Sequence, residues 1–143
     1  NTRYLHTVLC SDNRCRKAYV TEAHETSFHF CIYYICYLLQ RLRNSNFELQ
    51  RVAIEGDTAK VAQMLAAHKR LAQEIVLANP RSAAAYYAIN QTIKGAYYMT
   101  PYNREDLPFW NAVATAWDLH YGEYERAKEL KQNVLFGSLK VHF

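Results

Sequence analysis

The feature of this chain that most constrains its fold is an apolar run over residues 28–39, FHFCIYYICYLL, in which His29 is the one polar side chain. A membrane span needs about 20 apolar residues, so this run, which the basic sequence QRLRN interrupts, is too short to cross a bilayer. A buried strand would need a parallel partner, and no comparable second run follows. Thr21 is a suitable N-cap, and we predict a helix from Thr21 to Leu42. Because this helix is apolar all round, other helices should surround it.

Cap and stop residues predict two further helices after this run. Ser45 and Glu48 form a capping box, in which each side chain accepts a hydrogen bond from the amide of the other residue. The box predicts a short helix that Gly56 ends. Asp57 or Thr58 then caps an amphipathic helix of about five turns, because its apolar residues recur at spacings of three and four.

The second half of the chain contains the same kinds of signals. Asn79 precedes a proline, so the pair should end one helix and begin the next, which we expect to run to Gly95. Asp106 opens a last long helix that should end at Gly137. Residues 137–143 are then expected to be a C-terminal extension of uncertain structure.

Composition agrees with a helical, ordered protein. Half of the 143 residues are hydrophobic, whereas glycine (4) and proline (3) are scarce. A chain of this length buries about 68–70% of its surface and needs neither metal nor disulfide to fold. The predicted fold is therefore all-α, a compact bundle of five or six helices in a single domain spanning residues 1–143, with residues 1–20 as an N-terminal arm.

The cysteines leave three alternatives open. Cys10, Cys15, Cys31 and Cys36 all lie in the first quarter of the chain. If Cys31 and Cys36 share a helix, they point about 140° apart, so only cross-pairs with Cys10 and Cys15 could form disulfides. Free thiols are the favoured interpretation, ahead of disulfides and of a metal site. The chain begins at Asn1 without a leader pattern, so we expect a soluble, processed or excised chain, with an intracellular location favoured over secretion.

No catalytic or cofactor motif survives a spacing check. His24 and His29 stand five residues apart with an acid between them, whereas the zinc-protease motif requires four. His68 and His120 fall on or beside the apolar stripes of two long helices and could meet in the core, where hydrogen-bonded histidines are commoner than metal ligands. We therefore predict a non-enzyme without metal or cofactor.

Charge is distributed unevenly along the chain. From Thr58 to Arg104 there are six basic residues against one acid, and from Glu105 onward six acids against four bases. Tyrosines are interleaved with the bases of segment 58–104, and such side chains can stack on nucleobases while cations neutralise phosphates. The candidate contact residues for nucleic acid or a partner are Lys69, Arg70, Lys94, Tyr97, Tyr98, Tyr102 and Arg104.

Two functions fit this charge distribution. A basic segment followed by an acidic helix allows head-to-tail contacts between copies, with Glu123, Glu125 and Glu129 as the acidic partner face. Surplus aromatics are also typical of protein interfaces. The sequence therefore favours a non-catalytic binding or assembly module, a structural or interaction protein that self-associates or binds a protein partner. The alternative is a small helical protein that coats or binds nucleic acid through segment 58–104.

Overall fold

The computed structural model describes residues 4–8, 17–21 and 23–142, and it describes side chains over residues 33–142. The all-α prediction is confirmed, with five helices in the described residues, and the strands form two antiparallel hairpins, β1 with β2 and β3 with β4. In chain order the elements are β1 (Tyr4–Val8), β2 (Lys17–Thr21), α1 (Ala23–Glu55), α2 (Thr58–Ala78), α3 (Ala83–Ile89), β3 (Thr92–Ile93), β4 (Ala96–Tyr97), α4 (Leu107–Tyr121) and α5 (Glu125–His142).

Helix α1 is longer than predicted, because it continues without a break through the expected capping box. Ser45 lies inside the helix, and its hydroxyl is 2.9 Å from the Nδ1 atom of His68 on α2. Glu48 pairs instead with Arg51, one turn further along the same helix. The predicted helix boundary near Leu42 is wrong because both polar side chains have partners other than the cap amides.

Burial on α1 is restricted to one face, so the prediction of an all-round buried helix is wrong for the described side chains. Leu38, Leu42 and Leu49 are buried at spacings of four and seven, as expected for a helix packed on one side. Tyr34 and Tyr37 are 40% and 37% exposed. The side chains of residues 28–32 lie outside the described residues.

The boundaries of α2 and α3 depend on three polar caps. Asp57 caps α2 by accepting a hydrogen bond from the amide three residues on, at 3.1 Å, which confirms the prediction. Asn79 is the C-cap of α2 and not the N-cap of α3. Ser82 caps α3 instead, where its hydroxyl accepts from the Ala85 amide at 3.0 Å.

Helix α3 ends at Ile89, well before the predicted stop at Gly95. The intervening residues form the hairpin of β3 and β4, and its two turn residues, Lys94 and Gly95, both have positive φ, of 50° and 80°. A two-residue hairpin turn requires this conformation. Gly95 therefore acts as a turn residue rather than a helix stop.

The predicted last helix is in fact two, because the chain turns at Gly122 between α4 and α5. Gly137 does not end a helix, since it lies within α5, which continues to His142, so the predicted extension 137–143 is helical over its described residues. Gly137 is buried against the loop before α4, and a Cβ atom there would collide with the carbonyl oxygen of Pro101. At the other end of the chain, the predicted arm 1–20 contains β1 and most of β2. The two strands pair with each other, and Tyr4 lies opposite Thr21.

The core lies where α1, α2, α3 and α4 meet, with α5 packed mainly against α4. The loop between β4 and α4 contributes two buried side chains to it, which explains its lack of helical periodicity. No helix within the described residues is both long and apolar enough to span a bilayer. The buried core side chains are Leu38, Leu42, Ala72, Ile75, Val76, Ala85, Ala88, Ile89, Tyr98, Met99, Trp110, Val113, Ala114 and Leu130.

Candidate binding groove

One of the predicted basic residues, Lys69, is held in an ion pair with a buried carboxylate. The Lys69 ammonium lies 3.2 Å from a carboxylate oxygen of Asp106, whose side chain is only 3% exposed. The same carboxylate accepts a hydrogen bond from the Thr100 amide at 3.2 Å. Because a buried carboxylate needs a charged partner, Lys69 holds the loop before α4 against α2, and its charge is already neutralised.

Tyr98 does not lie on the predicted contact surface, because its side chain is buried. Its hydroxyl is hydrogen-bonded to Nε2 of His68, and Nδ1 of the same ring faces Ser45. Desolvation lowers the pKa of His68 to about 4 and raises that of Tyr98. A neutral imidazole supplies one donor and one acceptor. Both ring nitrogens therefore have hydrogen-bond partners, Ser45 and Tyr98, without a buried charge.

The other predicted contact residues are exposed and lie on different elements. Arg70 lies on α2, whereas Tyr97, Tyr102 and Arg104 lie on β4 and the following loop. Lys94 is in the β3–β4 turn, where its ammonium donates to the carbonyl of Ala53 at 2.9 Å.

The structure tests the possible contact between His68 and His120 but not the alternatives for the cysteines. His68 is buried and His120 is exposed beside Tyr121, so the two rings do not meet. No cluster of three or more potential metal ligands occurs in the described part of the chain. Cys10, Cys15 and the side chain of Cys31 lie outside the described residues, so the cysteine alternatives stay predictions.

A groove of about 580 Å³ lies between the start of α3, the end of α4 and the start of α5, and we call it the aromatic groove. Its volume is within the range of small-ligand and side-chain binding sites. Two cations and one carboxylate accompany three aromatic side chains. The residues lining it are Arg81, Ala83, Trp117, Tyr121, Tyr124, Glu125 and Arg126.

Aromatic rings form a continuous row along this groove. Tyr86 and Trp117 have ring centres 4.8 Å apart, Trp117 and Tyr121 5.4 Å, and Tyr121 and Tyr124 6.3 Å. The Arg126 guanidinium lies 5.6 Å from the Tyr86 ring centre, within cation–π range. The indole nitrogen of Trp117 is buried without a hydrogen-bond partner among the described residues.

The turn between α4 and α5 produces this row from local sequence. Trp117 and Tyr121 are four residues apart, which places them on one face of α4. The Tyr124 amide bonds the Tyr121 carbonyl at 2.9 Å and closes the turn. Gly122 is required there, because a Cβ atom would lie 2.6 Å from the carbonyl oxygen of Asp118.

The predicted acidic face includes one residue that lines the aromatic groove. Glu123, Glu125 and Glu129 are all exposed. Glu125 both lines the groove and pairs with Lys128 at 3.1 Å. Exposed ion pairs of this kind contribute little to stability, so these carboxylates remain available to an external partner.

The sequence did not predict the aromatic groove because one continuous helix was expected through Trp117, Tyr121 and Tyr124. Their spacing predicts a shared face but does not distinguish a core from a groove. Gly122, directly after Tyr121, was the signal that the helix ends there. Comparison with known proteins gives no further guide, since no family model, curated protein or solved structure matches the chain.

Proposed function

We propose that this protein is a non-catalytic assembly module that pairs with a second copy of itself through the aromatic groove. One observation carries the proposal: exposed aromatic rings lie beside side chains of both charges on one surface. Arg81 and Arg126 line the groove with Glu125, and the exposed Glu123 and Glu129 flank that carboxylate along the chain.

Mixed charge on one patch favours a second copy over other occupants. In a two-fold dimer the same patch of both copies forms the interface, so every contact joins two residues of that patch. A patch with charges of one sign would repel the same patch on a second copy. This patch can instead place the arginines of each copy opposite the carboxylates of the other. An acidic peptide would instead be repelled by the carboxylates of the same patch.

Tyr124 supplies the apolar contact that such an interface needs. Its side chain lines the groove and is nevertheless 67% exposed. Tyrosine is enriched at the centres of interfaces because it buries a large area with little loss of conformational entropy. A Tyr124 ring from each copy would fill the groove of the other and shield the charge pairs from water.

Sedimentation equilibrium over a range of concentrations tests this proposal. We expect the parent protein to approach twice its 16.7 kDa mass. Tyr124→Ala should weaken pairing by about 2 kcal/mol, roughly a 30-fold rise in Kd, as for an interface hot spot.

Tyr97→Ala is the matched control, since this tyrosine is 53% exposed and lies outside the groove. It should leave the sedimentation profile unchanged. A parent protein that stays monomeric at every concentration, or equal shifts in both variants, would contradict the proposal.

A further inference from the structure

A second cavity, of about 240 Å³, lies where α3, β4, the loop after β4, α4 and α5 meet, and we call it the loop cavity. It is separate from the aromatic groove and shares no lining residue with it. Aromatic side chains and uncharged polar side chains line it together. Those that carry the argument are Asn90, Tyr97, Thr100, Tyr102, Trp110 and Asn133.

The mouth of the loop cavity combines aromatic faces with a cation. Tyr97 and Tyr102 are 53% and 48% exposed, although both line the cavity. The Lys140 ammonium, from the end of α5, lies 5.2 Å from the Tyr102 ring centre. Arg104, two residues after Tyr102, is also exposed. A planar group stacked on these rings would therefore have positive charge beside it.

The wall of the loop cavity supplies hydrogen-bonding groups. The Asn90 amide nitrogen donates to the Tyr86 carbonyl at 2.8 Å, which fixes the side chain and leaves its oxygen as an acceptor. Asn133 contributes a second amide from α5. The Trp110 indole nitrogen is buried and has no partner among the described residues. No described lining residue is acidic.

We propose that the loop cavity binds a nucleotide, with the base stacked on Tyr97 and Tyr102 and a phosphate held by Lys140. Base stacking on tyrosine tolerates any base, because every base has a π-face. Amide side chains can pair with the donor and acceptor edges of a base. A lysine beside the ring neutralises the phosphate. The nucleotide can be a free mononucleotide or one unit of a single strand.

This site differs from the surface that the sequence predicted for nucleic acid. It keeps Tyr97, Tyr102 and the neighbouring Arg104 and adds Lys140, which the charge count along the chain had placed in the acidic region. It excludes Lys69 and Tyr98, which are engaged in buried contacts.

Fluorescence anisotropy with a labelled deoxythymidine oligomer of about ten nucleotides tests the proposal. The parent should bind, and Tyr102→Ala should weaken binding by about 5- to 150-fold through lost stacking. Lys140→Gln should reduce the slope of log affinity against log salt by about 0.7. Both side chains are exposed or half-exposed, so neither change should alter the melting temperature.

Arg70→Gln is the matched control, because it removes an exposed cation of α2 that does not line the loop cavity. It should leave affinity and salt slope unchanged. Competition with AMP identifies the source of the ligand: displacement at similar concentrations indicates a free nucleotide, whereas weak displacement indicates a strand.

Three results would overturn the proposal: no binding of oligomer or AMP, binding that Tyr102→Ala and Lys140→Gln leave intact, or strong displacement of the oligomer by inorganic phosphate. The last result would mean that the site holds an anion without reading a base. Tyr124→Ala changes the aromatic groove and not the loop cavity. If this variant still binds nucleotide but no longer pairs, the two sites act independently.

Discussion

Replacing His68 with asparagine should remove a large part of the acid sensitivity of this fold. Burial lowers the pKa of His68 to about 4 in the folded protein, against 6.5 for an exposed histidine. Between these values the unfolded chain binds a proton that the folded chain does not, so stability falls as the pH falls from 6.5 towards 4. At about 1.4 kcal/mol per pH unit, the full loss is about 3 kcal/mol, of which about 2 is reached by pH 5.

Urea unfolding followed by circular dichroism at about pH 7.5 and about pH 5 measures this loss. Asparagine offers a donor and an acceptor to Ser45 and Tyr98 but does not titrate. We therefore expect His68→Asn to be less stable than the parent at pH 7.5 and to lose about 2 kcal/mol less on acidification. His120→Asn is the control, because it makes the same substitution at an exposed histidine and leaves the His68 ring in place, so the loss assigned to His68 should remain. If the parent and His68→Asn lose equal stability, protonation of the buried ring is not the cause.

Three further substitutions test the packing that positions the two sites. Gly137→Ala should destabilise the protein by about 2 kcal/mol, because the clash with the fixed Pro101 carbonyl exceeds the gain of about 1 kcal/mol in helix propensity; thermal melting measures it. Lys69→Gln should cost about 1–3 kcal/mol in urea unfolding by leaving the Asp106 carboxylate without its cation, a range reduced because Lys69 is 25% exposed. Leu42→Ala should cost about 2–5 kcal/mol in the same assay, since Leu42 is fully buried.

The sequence predicted the helix content well because helix periodicity and two caps are local signals. Gly56 and Asp57 mark the α1–α2 junction in both the prediction and the structure. Ser45 was misread because a serine that precedes a glutamate by three residues resembles a cap whether or not the helix breaks. Its actual partner, His68, is 23 residues away, and no local pattern indicates such a contact.

The candidate sites were less predictable because they depend on which charges the fold neutralises. Lys69 and Lys140 have the same side chain, but Lys69 meets a buried carboxylate and Lys140 lies over an exposed ring. Tyr97 is the last residue of β4, and Tyr98 follows it directly. Because side chains alternate between the two faces of an extended chain, Tyr98 is buried and Tyr97 is exposed. Counting bases and tyrosines along the chain could not separate these cases.

Mixing two oppositely charged variants is a direct test of pairing through the aromatic groove. One variant carries Arg81→Glu and Arg126→Glu, and the other carries Glu123→Arg and Glu129→Arg, so each patch repels its own copy. We predict that each variant alone sediments as a monomer and that an equimolar mixture forms a heterodimer of about twice the 16.7 kDa mass. Variants that still pair alone, or a mixture that stays monomeric under conditions in which the parent protein pairs, would contradict this prediction.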